Sequence, residues 1–207
     1  MAISTFSELS IAIASWLNRS DLTATIPTFI AMAEARFNRD VKHWRMEKTA
    51  SLSFSGQFAG IPSDWVQTDT ITASTANGPV FLAPMSSADM AQRRQAGADT
   101  SGAPAYFRMT AGQFEIFPTP DATYSGSINY ISKLPALGDD TATNWILSYH
   151  PDAYLYTALT HSAPFLGEDE RTAVWAALSK SAIDAINADG RRSQVSSGVK
   201  MRLKGMS

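Results

Sequence analysis

The apolar residues of this chain change their spacing twice. From Phe6 to Phe37 they recur every three or four residues, from Lys48 to Leu134 they alternate, and from Tyr149 to Ile186 the helical spacing returns. A sequence patterned for a helix does not settle as a strand, nor the reverse. The chain is therefore predicted to be α+β: a helical bundle built from N- and C-terminal helices, with an inserted small antiparallel β-sandwich or barrel-like unit. The boundaries read from the pattern are 1–45 and 144–189 for the bundle, 46–143 for the β-rich insert, and 190–207 for a basic, flexible C-terminal arm.

Local signals place the elements. Thr5-Phe6-Ser7-Glu8 has the form of a capping box, and Phe6, Leu9, Ile13, Trp16 and Leu17 follow on one stripe until the polar turn Asn18-Arg19-Ser20-Asp21. A second helix is expected after Thr25, with Pro27 in its first turn, where a missing N–H has no partner to lose. Ile26, Phe29, Ile30, Ala33 and Phe37 give its apolar face. A helix from about Tyr149, with Leu155, Ala158, Leu159, Ser162 and Phe165 inward, is expected to end at Gly167. A last helix, from about Glu168 to Ala188, would bury Val174, Ala177, Leu178, Ala182, Ala185 and Ile186 and stop at Gly190. Glu168, Asp169 and Glu170 complement the positive end of its dipole.

In the insert, Lys48–Phe54, Trp65–Ala73, Pro79–Leu82, Tyr106–Thr110, Gln113–Phe117 and Tyr124–Lys133 read as strands, three to six in all. Asn77-Gly78 and Ala111-Gly112 mark hairpin turns, and Ser86 to Gln95 reads as a short helix capped by Ser86 or Ser87. Residues 135–148 read as a loop.

Composition excludes several function classes. The chain has 207 residues, with 17 Lys+Arg, 19 Asp+Glu and no Cys, so disulfides, thiolate metal sites and Cys nucleophiles are out. A net charge of −2 argues against a dedicated nucleic-acid binder. No apolar run approaches 18 residues and no secretory leader is evident, so a soluble protein that stays where it is made is expected. Charged residues make up only 17%, against a usual level of about 25%, and small residues abound, as suits burial against partners.

Converging chemistry is scarce. His43, His150 and His161 form no metal-binding spacing, and no nucleophile elbow, phosphate loop or dinucleotide fingerprint is present. Asp139-Asp140 reads as a solvated turn, and Arg93-Arg94 as a solvated helix face rather than a phosphate contact. Trp16, Trp44, Trp65, Trp145 and Trp175 read as packing anchors. No enzyme activity, cofactor or metal is expected. The tail is the exception to this plainness. Residues 1–189 carry 12 basic and 19 acidic side chains, whereas the rest adds five cations and no acid. Val199, Met201 and Leu203 alternate with Lys200, Arg202 and Lys204, a period that suits an added strand on a partner's sheet edge. With Arg191 and Arg192 these are the candidate partner-binding residues.

The order of short runs along the chain resembles a known family. Trp16-Leu17-Asn18-Arg19-Ser20-Asp21-Leu22, Ile26-Pro27-Thr28-Phe29-Ile30, Ala33-Glu34-Ala35-Arg36 and Met46-Glu47 are followed by Ile61-Pro62-Ser63-Asp64-Trp65. Then come Gly102-Ala103-Pro104-Ala105-Tyr106-Phe107, Phe117-Pro118-Thr119-Pro120, Asn144-Trp145-Ile146-Leu147, Tyr149-His150-Pro151-Asp152 and Gly167-Glu168-Asp169-Glu170-Arg171. Together they resemble the head-to-tail adaptor, or connector, proteins of tailed bacteriophages of the short-tailed type. The resemblance implies a structural virion protein of the neck, made in the bacterial host cytoplasm. It implies a ring of copies, usually twelve, under the portal protein, and a distal nozzle or tube protein as the other partner. DNA would pass through the channel without specific binding, and no membrane is involved. A tail-tube or neck component that never touches the portal is the nearest alternative, and a tail hydrolase or carbohydrate-binding module a more distant one.

Overall fold

A computed structural model describes residues 3–19, 21–97, 101–167 and 170–196, and shows an α+β protein with helices at both ends of the chain and sheets between them. In chain order the elements are α1 (Phe6–Leu17), α2 (Ile26–Asp40), a 3-10 turn (Trp44–Met46), β1 (Glu47–Phe54), β2 (Phe58–Gly60), β3 (Trp65–Thr75), β4 (Gly78–Phe81), β5 (Ala83–Pro84) and α3 (Ser87–Gln95). They continue with β6 (Tyr106–Thr110), β7 (Gln113–Phe117), β8 (Tyr124–Ser132), α4 (Trp145–Tyr149), α5 (Pro151–His161), α6 (Ala163–Leu166) and α7 (Arg171–Ser196). Two compact units result, one from residues 1–46 with 134–207 and one from 47–133.

In the helical unit α5 is the centre, packing against α1, α2 and α7. It is buried nearly all round, through Ala153, Tyr154, Leu155, Thr157, Ala158 and Leu159. The Thr5–Glu8 capping box forms on α1, and Asn18 closes that helix in the left-handed region at φ 52°. Leu9, Ile13 and Leu17 of α1 and Ile26, Phe29, Ile30, Ala33 and Phe37 of α2 are buried. One charge lies among them. The Glu34 carboxylate accepts from the Leu137 N–H at 2.8 Å and, more loosely, from the Tyr154 hydroxyl at 3.4 Å. Burial pushes its carboxyl above the ordinary range, and these two hydrogen bonds act against that shift.

The expected loop over 135–148 contains α4, a five-residue helix too short to show a period. Its cap, Asn144, is buried; its side chain accepts from Leu147 N–H and donates to the Pro135 carbonyl and the Tyr154 hydroxyl. The next helix ends at His161 rather than at Gly167, and Phe165, expected inward, is exposed on the single turn α6.

Helix α7 departs furthest from the expected pattern. Its buried side is Trp175, Ser179, Ile183, Ile186 and Gly190, so of the expected stripe only Ile186 is fully inside. The seam against α5 uses small and polar groups: the Ser179 and Thr157 hydroxyls share a buried hydrogen bond of 2.7 Å. Gly190 does not stop the helix, which runs on to Ser196. It is a packing residue. A Cβ there would sit 2.9 Å from the Lys42 carbonyl oxygen and 3.1 Å from the His43 ring. The arm expected from residue 190 is thus helical over its first seven residues. Gly190→Ala gains helix propensity of roughly 1 kcal/mol but must displace backbone, an overpacking cost of about 1–3 kcal/mol. We expect a net loss of about 1 kcal/mol in urea denaturation.

The β unit holds two four-stranded sheets, ordered β1-β8-β3-β4 and β2-β7-β6-β5. All pairs are antiparallel except β5 with β6. The sheets share a core of Leu52, Phe54, Ile71, Phe114, Ile116, Ile128 and Tyr130, the alternate residues of facing strands. Eight strands exceed the expected three to six because β2 and β5, three and two residues long, carry no readable alternation. At the β3–β4 hairpin Thr75 pairs with Gly78 around Ala76 and Asn77, and only Gly78 takes positive φ, at 106°.

Candidate partner-binding surfaces

The helical unit exposes an aromatic and cationic cluster where the 3-10 turn, α4 and the end of α7 meet. Lys42 N–H donates to the Asn187 side chain at 2.7 Å, and the Asn187 amide donates to the Asp40 carbonyl at 2.9 Å. With Gly190 seated on Lys42 and His43, these bonds fix the turn. His43 is buried, stacked on Trp145 at 4.8 Å between centroids, with Nε2 3.4 Å from an Asp189 carboxylate oxygen. The next two residues turn outward. The Arg45 guanidinium lies 4.7 Å from the Trp44 ring centroid and 4.4 Å from that of Tyr149. Trp44 is 42% exposed and Tyr149 61%. Trp44 and Trp16, expected as packing anchors, are exposed; Trp65 and Trp145 are half-buried and only Trp175 is fully inside.

A second surface runs along α7. Val174, Leu178, Ser181 and Ala185, spaced four, three and four apart, all face outward. Val174 is 57% and Leu178 39% exposed. These are residues the apolar pattern had placed in the core. An Ala-rich helix carrying apolar groups on two faces offers no way to tell the stripe used within the chain from the one left over.

The β unit has a groove of about 370 Å³ lined by Trp65, Ile71, Phe81, Phe107, Met109 and Phe114, with Asp69 at its polar side. Phe81 and Met109 are exposed there. On α3, Arg93 and Arg94 are not simple solvated neighbours. Arg93 lies 5.0 Å from the Tyr106 ring centroid, whereas Arg94 donates to the Ile116 carbonyl and Thr119 hydroxyl and pairs with Glu115. Glu115 is 5% exposed, accepts from Gln57 and Arg108 at 2.9 and 2.6 Å, and stands directly opposite Arg108 in the β6–β7 register. Burial alone would raise its carboxyl; the hydrogen bonds from Gln57 and Arg108, with the charges of Arg108 and Arg94, reverse this and hold it below the usual range.

The candidate residues of the tail divide. Arg191 and Arg192 are exposed on α7. Val199, Lys200, Met201, Arg202, Leu203 and Lys204 lie outside the described residues. Among the described residues no group of three or more His, Asp or Glu side chains is placed to hold a metal ion. No helix described is long and apolar enough to cross a membrane.

The exposed apolar side chains of α7 and the Trp44–Arg45–Tyr149 cluster are the candidate contact surfaces of the helical unit. Comparison with known families gives that contact a setting: residues 4–202 match the SU10 adaptor protein family, and the chain belongs to it. It is a bacteriophage adaptor protein, a structural kind of protein that interacts with other head and tail proteins of the virion. No curated protein matches the chain.

Proposed function

We propose that this protein is a head-to-tail adaptor that forms a ring of about twelve copies beneath the portal, joins the capsid to the tail and continues the DNA channel. The family match across residues 4–202 carries this reading. The uncovered α7 stripe supports side-by-side contact between copies. Burying a Val or Leu side chain yields only about 1.5–3 kcal/mol, against an association cost of about 4–15 kcal/mol. Such lateral contacts are weak alone and gain from avidity once a template holds the copies together. The ring therefore closes on the portal and not in free solution. An acidic body, with 12 cations against 19 anions up to residue 189, keeps DNA from adhering as it passes.

Arg191 and Arg192, with Val199, Lys200, Met201, Arg202, Leu203 and Lys204, make the portal contact in this scheme. Because α7 takes residues 190–196, the chain beyond Ser196 spans at most about 40 Å, shorter than a free arm from residue 190 would allow. A chain ending at Ser196 keeps Gly190 in its seat and tests the tail alone. Mixed with purified portal, the full chain is expected to give stacked rings in negative-stain images and the shortened chain single portals. Rings that form stably without portal, or equal docking by the shortened chain, would overturn the template and the tail role respectively. Binding to a tail protein but not to the portal would make the protein a neck component instead.

A further inference from the structure

We propose that Arg45, clamped between Trp44 and Tyr149, is the anchor of a docking site for an acidic protein segment, with a carboxylate seated on its N–H edge. The proposal takes from the adaptor reading only that the partner is a protein.

Ring centroids at 4.7 and 4.4 Å place the guanidinium over two aromatic rings, which limit its motion, and Arg45 itself is exposed to solvent. Among the described residues no ion pair joins it to a carboxylate. Two acids of this region are engaged elsewhere, Asp40 with Arg36 at 3.3 Å and Asp189 against His43 at 3.4 Å. A planar fork held in place and left without an anion favours a bidentate acceptor, and holding it beforehand lowers the ordering cost of binding. Lys42 and Arg191 are exposed on either side of the Gly190 contact and reinforce the sign of the surface.

Two observations favour a protein carboxylate over a nucleic-acid phosphate. The rim consists of an exposed Trp and an exposed Tyr beside an Arg, the side chains that dominate protein–protein affinity. The cations here are also few: Lys42, Arg45, Arg191 and Arg192, with Asp189 among them, whereas duplex binding draws on roughly six to ten phosphate contacts.

The test uses the full-length chain and three probes: a synthetic eight-residue Glu/Asp peptide with a Gln/Asn counterpart, a 20-base-pair duplex, and inorganic phosphate. Binding is followed by titration calorimetry and by the NMR signals of the Arg45 Nε–H and the Trp44 indole. The acidic peptide is expected to bind saturably and shift both signals, and its neutral counterpart to do neither. Arg45→Lys, which keeps the charge but loses the fork, and Tyr149→Ala, which opens one side of the clamp, should each weaken binding about tenfold. Lys180→Ala, which removes an exposed lysine paired with Asp184, should leave binding unchanged. Binding by Arg45→Lys equal to wild type would overturn the clamp, as would no saturable binding. Tighter, Arg45-dependent binding of duplex or phosphate would overturn the choice of a protein partner. The measurement is made on free protein, so its failure leaves ring formation on the portal untouched, and the reverse holds too.

Discussion

Gly126→Ala is expected to cost the β unit about 3 kcal/mol, more than any other single methyl group added to it. Gly126 lies on the inner strand β8, paired with Leu52 of β1 on one side and Ala73 of β3 on the other. A Cβ built there falls inside the contact distance of the Thr72 carbonyl oxygen and 2.6 Å from the Phe54 ring. Phe54 is fully buried, so its ring has nowhere to turn, and the carbonyl belongs to the ladder. Relief requires moving a strand. Urea denaturation should show the midpoint falling with little change in slope, and an unchanged midpoint would show that the strand yields at no cost. Phe54→Leu in the same background should recover part of the loss.

Glu115→Ala is expected to be about as damaging, roughly 3 kcal/mol at neutral pH, because it leaves the cations Arg94 and Arg108 without their shared partner. The pH dependence has a definite sign. A carboxyl held below its unfolded value stabilises the fold fully above the unfolded pKa, about 4.3, and that contribution disappears as pH falls through the folded value. Wild type should therefore lose stability on acidification below about pH 4.3, and the variant should lose less over the same range. Glu34 works in the opposite direction. Its raised pKa means that the folded state binds the proton more tightly, so acidification through that range relieves a cost in the helical unit.

Features encoded within a few residues were legible from sequence. The Thr5–Glu8 capping box, the Ser86 cap, the Ala111-Gly112 turn and the strands on either side of it all rest on neighbours in the chain, and the structure has them where the pattern puts them. What failed depended on tertiary choice. Periodicity in α7 marked a single stripe from Val174 to Ile186, whereas packing on α5, with Ser179 bonded to Thr157 and Gly190 on Lys42, turns a different side inward. Gly190 read as a stop because glycine ends many helices, whereas here the missing side chain admits a neighbouring backbone. The Arg45 clamp was invisible for another reason. Trp44 and Tyr149 are far apart in sequence, and Tyr149 belongs to a helix too short to announce itself. The tail residues Val199 to Lys204 stand as a proposal drawn from alternation alone.

The pairing of β1 with β8 has a consequence for how the chain reaches its native state. Glu47 and Ile131, near the entry and exit of the β unit, lie opposite each other on adjacent strands, about 5 Å apart. The α2–α5 contact spans more than 100 residues of chain, a closure that is slow when the intervening segment is unfolded. Once the β unit has formed, its two ends are already side by side, and the chain left to close between α2 and α5 is only residues 41–46 and 132–150. During synthesis residues 47–133 leave the ribosome before α5 and α7 do, so the sandwich can form first and act as a clasp. Until α5 arrives, α1 and α2 expose the apolar faces that it later covers, which makes the interval between the two events the vulnerable stage for aggregation.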